Sequence, residues 1–267
     1  MNQSKKHYPL NAKQIHILKL TYKFRFITAP LLTSYKDLKS RTAMHATLKN
    51  LIDRGLLAKR FDRNTLFQNK GGRYYLTSKA MRILRDDFGI SEKNLNTIFK
   101  NKSVSEKFVD QQVEVFRLYL NLRRIYPNTF DMFTRTEIAS HDYFLRPTPD
   151  LYLNRLKPSK GQHNEYLLDE FLDTPLYLIK KRVDAFIDHY DSGEWEAGAN
   201  TEYPTILLVC SDSSIESKIQ NYTKKNLEDR GMDDEMIFLT TTLKALNSVE
   251  QRIWSNVFQP EELIPLT

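Results

Sequence analysis

Cysteine occurs once in this chain of 267 residues, at Cys210, so neither an intrachain disulfide nor a thiolate zinc cluster can form. The cysteine closes the apolar run Thr205-Ile206-Leu207-Leu208-Val209-Cys210, a setting for a buried small hydrophobe rather than a nucleophile. Glycine is scarce, with 8 residues against 14 tyrosines and 15 phenylalanines, which argues for packed cores over disorder. No apolar run approaches the roughly 18–20 residues of a membrane span. The opening segment, MNQSKKHYPLNAK, lacks the apolar centre of a secretory signal. A reducing cytoplasm and no membrane partner are therefore expected. The 6 histidines (His7, His16, His45, His141, His163 and His189) show neither HxH nor HExxH spacing. Gly71-Gly72 stands outside any P-loop pattern, and no GxGxxG occurs.

What the chain does have is charge, unevenly placed. The formal net charge is +7, yet residues 1–100 hold 21 lysines and arginines against 6 acids, while the remainder holds 19 against 27. A strongly basic first third attracts polyphosphate by steering and counterion release, and an acidic remainder repels it unless metal is held there. The acidic part equally suits homodimerisation or recruitment of a replication or transfer protein.

Between Ser40 and Leu76 the charge coincides with a fold signal. Met44, Leu48, Leu51 and Ile52 give a helix one apolar face, and Gly55 supplies its left-handed stop. Leu56 to Phe61 reads as a strand, 62–70 as a polar loop, and Gly72 to Leu76 as the returning strand. Upstream, Asn11 to about Arg25 is expected as a first helix, and Ile27 opens a second, with Thr28 as cap and Pro30 in its first turn. Downstream, Thr77 caps a helix running through Leu84. Helices followed by a basic hairpin have the layout of a winged helix-turn-helix, which makes double-stranded DNA the leading partner. Arg41, Thr42, His45 and Lys49 are expected on the outward face of the third helix, with Lys39 at its entry. Arg60, Arg63, Lys70 and Arg73 are expected on the wing, tracking phosphates or the minor groove.

The predicted organisation is α+β: a winged-helix domain over 1–90, a polar linker over 91–105, and a mixed-sheet α/β domain over 106–267. In the last, Glu106 to about Tyr126 reads as a long helix. Strands are expected over Thr129 to Ile138, Pro149 to Leu156 and Glu165 to Leu172. A helix from Pro175 to Asp191, a strand from Tyr203 to Cys210, a helix from Ser213 to Glu228 and a short strand from Met236 to Thr241 complete it. Asp184, Asp188 and Asp191 fall at helical spacing and suit a solvated face.

The acids within this order carry the chemistry. Pro149-Asp150 opens the second strand and Asp169-Glu170 lies in the third, where carboxylates of adjacent strands can converge on a hard cation. Asp150 with Asp169 or Glu170 resembles the PD-(D/E)xK nucleases, in which an Asp after Pro is followed by an acid and a lysine on the next strand. Here the lysine position falls on Phe171 or Leu172, so a residue of the following helix, Lys180 or Lys181, would have to supply it, and Lys180, Lys181 and Arg182 are expected to start the exposed face of that helix.

Taken whole, the chain resembles the replication-relaxation family of plasmids and mobile elements. The residues that carry the likeness are Gly55-Leu56-Leu57, Tyr74-Tyr75-Leu76-Thr77, Pro149-Asp150, Asp169 to Thr174, Lys181 and Tyr190. Asp191-Ser192-Gly193 and the run Tyr203 to Val209 add to it. The resemblance implies a winged helix before a degenerate restriction-endonuclease-like domain, acting on DNA in replication, transfer or processing. If that domain is active, it implies a Mg²⁺- or Mn²⁺-dependent DNA endonuclease with Asp150, Asp169 and Glu170 as metal ligands and Lys180 or Lys181 assisting. The alternative is a winged-helix regulator or adaptor whose acidic domain dimerises or recruits a partner.

Overall fold

A computed structural model describes residues 9–35, 41–60, 71–158, 164–248 and 250–266. The protein is a mixed α+β chain of two compact units, residues 1–116 and 117–267. None of its described helices is long and apolar enough to cross a membrane.

In the first unit, helix Ala12–Phe24 starts on a reciprocal cap. Asn11 Oδ1 accepts from the Gln14 N–H at 2.9 Å, and Gln14 Oε1 accepts from the Asn11 N–H at 3.1 Å. Residues Ile27–Thr28, expected to open the second helix, instead form strand β1, and the helix begins behind them at Ala29–Tyr35. The third helix, Arg41–Asp53, buries Met44, Leu48 and Leu51. Its exit turn needs a positive φ (69° at Gly55), which a residue with a Cβ adopts only with strain. Strands β2 (Leu57–Arg60) and β3 (Arg73–Leu76) follow, giving a three-stranded antiparallel sheet in the order β1-β3-β2. The Thr77 hydroxyl ties this sheet to the third helix by donating to Gly55 O at 2.7 Å, and it also caps helix Ser78–Phe88.

Residues 91–105, read as a linker, belong to this first unit and are ordered by helix Glu92–Ile98 and the 3-10 turn Phe99–Lys102. Asn101 is buried in that turn, its Oδ1 accepting from Arg25 Nε and Nη2 at 2.9 and 2.7 Å. The division between units falls inside helix Glu106–Ile125, between Phe116 and Arg117.

The second unit is built on a seven-stranded sheet in the order β10-β9-β8-β7-β6-β5-β4. Strands β4 (Phe130–Thr134), β5 (Leu151–Arg155) and β6 (Glu165–Phe171) form an antiparallel meander. Helix Leu176–Asp191 then crosses to β7 (Thr205–Cys210), parallel to β6, and helix Ser213–Arg230 leads to β8 (Phe238–Thr242), parallel to β7. Ile179, Val183, Phe186 and Ile187 press from the first of these helices onto Leu167, Phe171, Ile206 and Leu208. Where a strand to Ile138 was expected, β4 ends at Thr134 and Arg135–Ile138 turns into a short helix closed by the Thr134/Glu137 capping box. Two strands lie beyond the expected order, β9 (Trp254–Asn256) and β10 (Gln259–Ile264). The last is an edge, exposed along Gln259 to Leu263, and its register with β9 is broken between Gln259 and Leu263.

Candidate functional site

Two charged regions bear on function, one in each unit. In the first, the apolar spacing of helix Arg41–Asp53 turns Met44, Leu48 and Leu51 fully inward, each 0% exposed. Arg41, Thr42, His45 and Lys49 are consequently all exposed, as their positions predict. None of these four makes an ion pair or side-chain hydrogen bond among the described residues. They line one continuous helix face, with Ala46 exposed between them.

The arginines expected on the wing are placed differently. Arg60 and Arg73 are register partners at the root of the hairpin, and both turn toward helix Glu106–Ile125. Arg60 Nε and Nη2 meet Glu106 Oε1, each at 2.7 Å, and Arg73 Nη2 donates to Asp110 Oδ1. Arg73 is only 4% exposed. Glu106 and Asp110 lie one helical turn apart, so a single helix face answers both arginines. Arg60 and Arg73 are thus fastenings of the hairpin to its own domain and do not reach outward for phosphate. Of the remaining DNA-contact expectations, Lys39, Arg63 and Lys70 lie outside the described residues.

In the second unit the strand register brings two carboxylates together. Leu151 pairs with Leu168, so Asp150 at the entry of β5 stands beside Asp169 of β6. The Asp150 N–H donates to Asp169 Oδ1 at 2.9 Å, and Asp150 Oδ2 accepts from the Glu170 N–H at 3.1 Å. Both acids are 3% exposed. Glu170, one position further along the strand, falls on the opposite face of the sheet by strand alternation, and its backbone N–H joins this cluster.

The cations of the cluster are arginines. Thr134 pairs with Leu151, so Arg135 falls next to Asp150, and its Nη2 donates to Asp150 Oδ1 at 2.9 Å. From helix Leu176–Asp191, Arg182 Nε donates to Asp169 Oδ2 at 2.5 Å. The Arg182 guanidinium lies over the Phe186 ring, 4.6 Å from its centroid, and its two buried Nη atoms find no hydrogen-bond partner among the described residues. Lys180, expected to assist here, instead places its Nζ 4.7 Å from the centroid of the Tyr222 ring, and Lys181 is exposed. Burial is the main force on Asp150 and pushes its carboxyl up to about 6; Asp169 adds to this, while Arg135, the Glu170 N–H and Arg182 oppose it.

Helical phase explains why Arg182 and not a lysine meets the acids. Ile179, Val183 and Phe186 mark the inward face, and Arg182 lies three residues past Ile179 and four before Phe186. Lys180 and Lys181 are rotated off that face. This phase is legible in the sequence, although a search confined to lysine passes over it.

Each of the four carboxylate oxygens of Asp150 and Asp169 already accepts a protein N–H, two of them from guanidinium groups. A divalent cation would have to enter against two fixed positive charges and displace their hydrogen bonds. As arranged, the pair does not fit Mg²⁺ or Mn²⁺. Among the described residues, no group of three or more His, Cys, Asp or Glu side chains gathers as a metal would require.

A second feature of this unit is a cleft of about 610 Å³ beside the entry of β7, walled by Tyr190, Trp195 and Tyr203. Asp191, Glu196, Glu202, Asp234 and Glu235 line it, and no lysine, arginine or histidine among the described residues does. His189 lies behind this wall, Nδ1 2.9 Å from the Tyr203 hydroxyl and Nε2 3.0 Å from Tyr143 O, and burial holds its pKa below the usual value. Its two ring nitrogens are satisfied as in a neutral structural imidazole.

No family model, no curated protein and no solved structure matches this chain.

Proposed function

We propose that the chain is a DNA-binding protein of the plasmid or mobile-element kind, acting in replication, transfer or DNA processing, with the second unit serving as a scaffold that does not cleave. The observation that carries this is the outward face of helix Arg41–Asp53, where Arg41, Thr42, His45 and Lys49 stand exposed over a fully buried apolar face. Three helices and a β1-β3-β2 antiparallel sheet, with β1 between the first two helices and β2 and β3 after the third, support a winged helix, whose third helix would enter the major groove. In the second unit, a helix, a three-strand meander, a crossover helix and a parallel strand support the PD-(D/E)xK-like reading. The arginine-paired acids favour a decayed catalytic centre over a working one.

Fluorescence anisotropy with labelled duplex and the full chain tests the interface. Affinity is expected to fall steeply with salt, and Arg41→Ala and Lys49→Ala each to weaken binding by about tenfold. The same change at Lys5 or Lys6 is expected to cost less. Equal losses at all four positions would remove the recognition-helix assignment.

The acid-lined cleft favours a second reading, in which the second unit recruits a basic partner, such as a replication or transfer protein, and the chain is a regulator or adaptor. Under that reading Glu202→Gln with Glu235→Gln abolishes partner capture and leaves duplex affinity untouched.

A further inference from the structure

We propose that Arg135 and Arg182 are built-in counter-cations of Asp150 and Asp169, supplying the positive charge these buried acids need, so that the second unit is independent of metal. This deepens the non-cleaving reading above. Asp150 Oδ1 is taken by Arg135, Oδ2 by the Glu170 N–H, Asp169 Oδ1 by the Asp150 N–H and Oδ2 by Arg182. Each buried acid also has a guanidinium of its own, Arg135 on Asp150 and Arg182 on Asp169.

Both arginines are held there by the fold rather than by chance contact. Arg135 begins a helix at the end of β4, its backbone N–H donating to Asp150 O at 3.3 Å while its side chain reaches the carboxylate. Arg182 emerges from the inward stripe of its helix and is braced on Phe186. A guanidinium also does mechanically what a bridging ion does: it joins strand to strand and strand to helix through an acid that cannot remain buried alone. The arrangement therefore conceals a latent cation site. Take away both arginines and two adjacent buried carboxylates remain, the oxygen pair that a hard divalent ion seeks.

Thermal unfolding of the full chain in EDTA, MgCl₂ or MnCl₂ at constant ionic strength tests this. The wild type is expected to keep its Tm within about 1 °C across all three, since no ion binds the native state alone. The variant Arg135→Ala/Arg182→Ala should melt lower in EDTA and recover by about 3 °C or more in millimolar Mn²⁺. Adding Asp150→Asn should abolish the recovery. A folded double variant that gains nothing from either ion overturns the proposal. Should that variant fail to fold, electron paramagnetic resonance of Mn²⁺ with the wild type decides alone: an unattenuated free-ion signal supports the proposal, and bound Mn²⁺ that disappears in Asp150→Asn overturns it. Duplex anisotropy in the same buffers keeps the DNA reading separate, because a chain that binds no duplex in any of them loses that reading while the cation result stands.

Discussion

The two units handle positive charge in opposite ways. On helix Arg41–Asp53, Arg41 and Lys49 remain in water, with neither an ion pair nor a side-chain hydrogen bond among the described residues. Beneath helix Leu176–Asp191, Arg182 is withdrawn from solvent and spent on a buried aspartate. A hydrated cation keeps its field for a partner, whereas a desolvated and paired one contributes to the architecture and little to recognition. Arg60 and Arg73 show that the distinction cuts across the first unit too, because they sit in its basic third and yet are ion-paired, Arg73 from a buried position and Arg60 from a partly buried one, to acids that stay in solvent.

The sharpest way to break this contrast is to remove one member of the buried cluster. Asp169→Ala leaves Arg182 desolvated without its acid, and a loss of roughly 3–5 kcal/mol is expected in urea unfolding. A loss no larger than that of an exposed pair would mean that Arg182 finds water or another acceptor. Next comes the apolar underside of helix Arg41–Asp53. Leu48→Ala or Leu51→Ala should cost about 2–5 kcal/mol, and a change below roughly half a unit would show the helix face to be rotated.

Arg73→Ala comes third. About 2 kcal/mol of stability should be lost with its bond to Asp110, while duplex affinity per folded molecule stays close to wild type. A large drop in affinity at unchanged stability would move Arg73 into the Arg41 class and dissolve the contrast within the first unit. For Lys49→Ala the reverse holds: stability within about 0.5 kcal/mol of wild type, with the effect confined to DNA. The smallest expected signal is chemical. Burial pushes the Cys210 thiol up to about 12, so alkylating reagents at pH 8 should label it only after unfolding. Labelling of the folded chain would show that strand β7 opens.

Much of this architecture is legible in the chain, for identifiable reasons. Helix Arg41–Asp53 and helix Leu176–Asp191 announce themselves through apolar spacing, and Asn11, Gly55 and Thr77 mark boundaries because each satisfies a backbone group that nothing else can. The order of strands and helices through β8 follows from alternation and turn residues. Strand β1 escapes notice because two residues carry no period, and β10 because Gln259-Pro260-Glu261-Glu262 reads as loop. Residues 91–105 look like a linker by polarity, yet Asn101 is polar in order to bind Arg25.

The acid pair is visible through Pro149-Asp150 and Asp169, and the spacing of Ile179, Val183 and Phe186 gives the phase of Arg182, but that Arg135 and Arg182 pair with these acids is not visible. Counting charge along a sequence reports sign without depth. Depth separates Lys49 from Arg73 and Lys181 from Arg182. Depth comes from strand register and helical phase taken together, and only the folded chain supplies both.

The exposed border strand β10 has one further consequence, for how the protein behaves when crowded. A sheet rim with free N–H and C=O groups invites another chain to add a strand, and proteins discourage this with proline, like charges and broken register. Here Pro260 offers no N–H, Glu261 and Glu262 would repel an identical rim, and the register break spoils the pleat. The molecule is closed to stacking on that side, so concentrated solutions should stay free of ribbon-like aggregates growing from it.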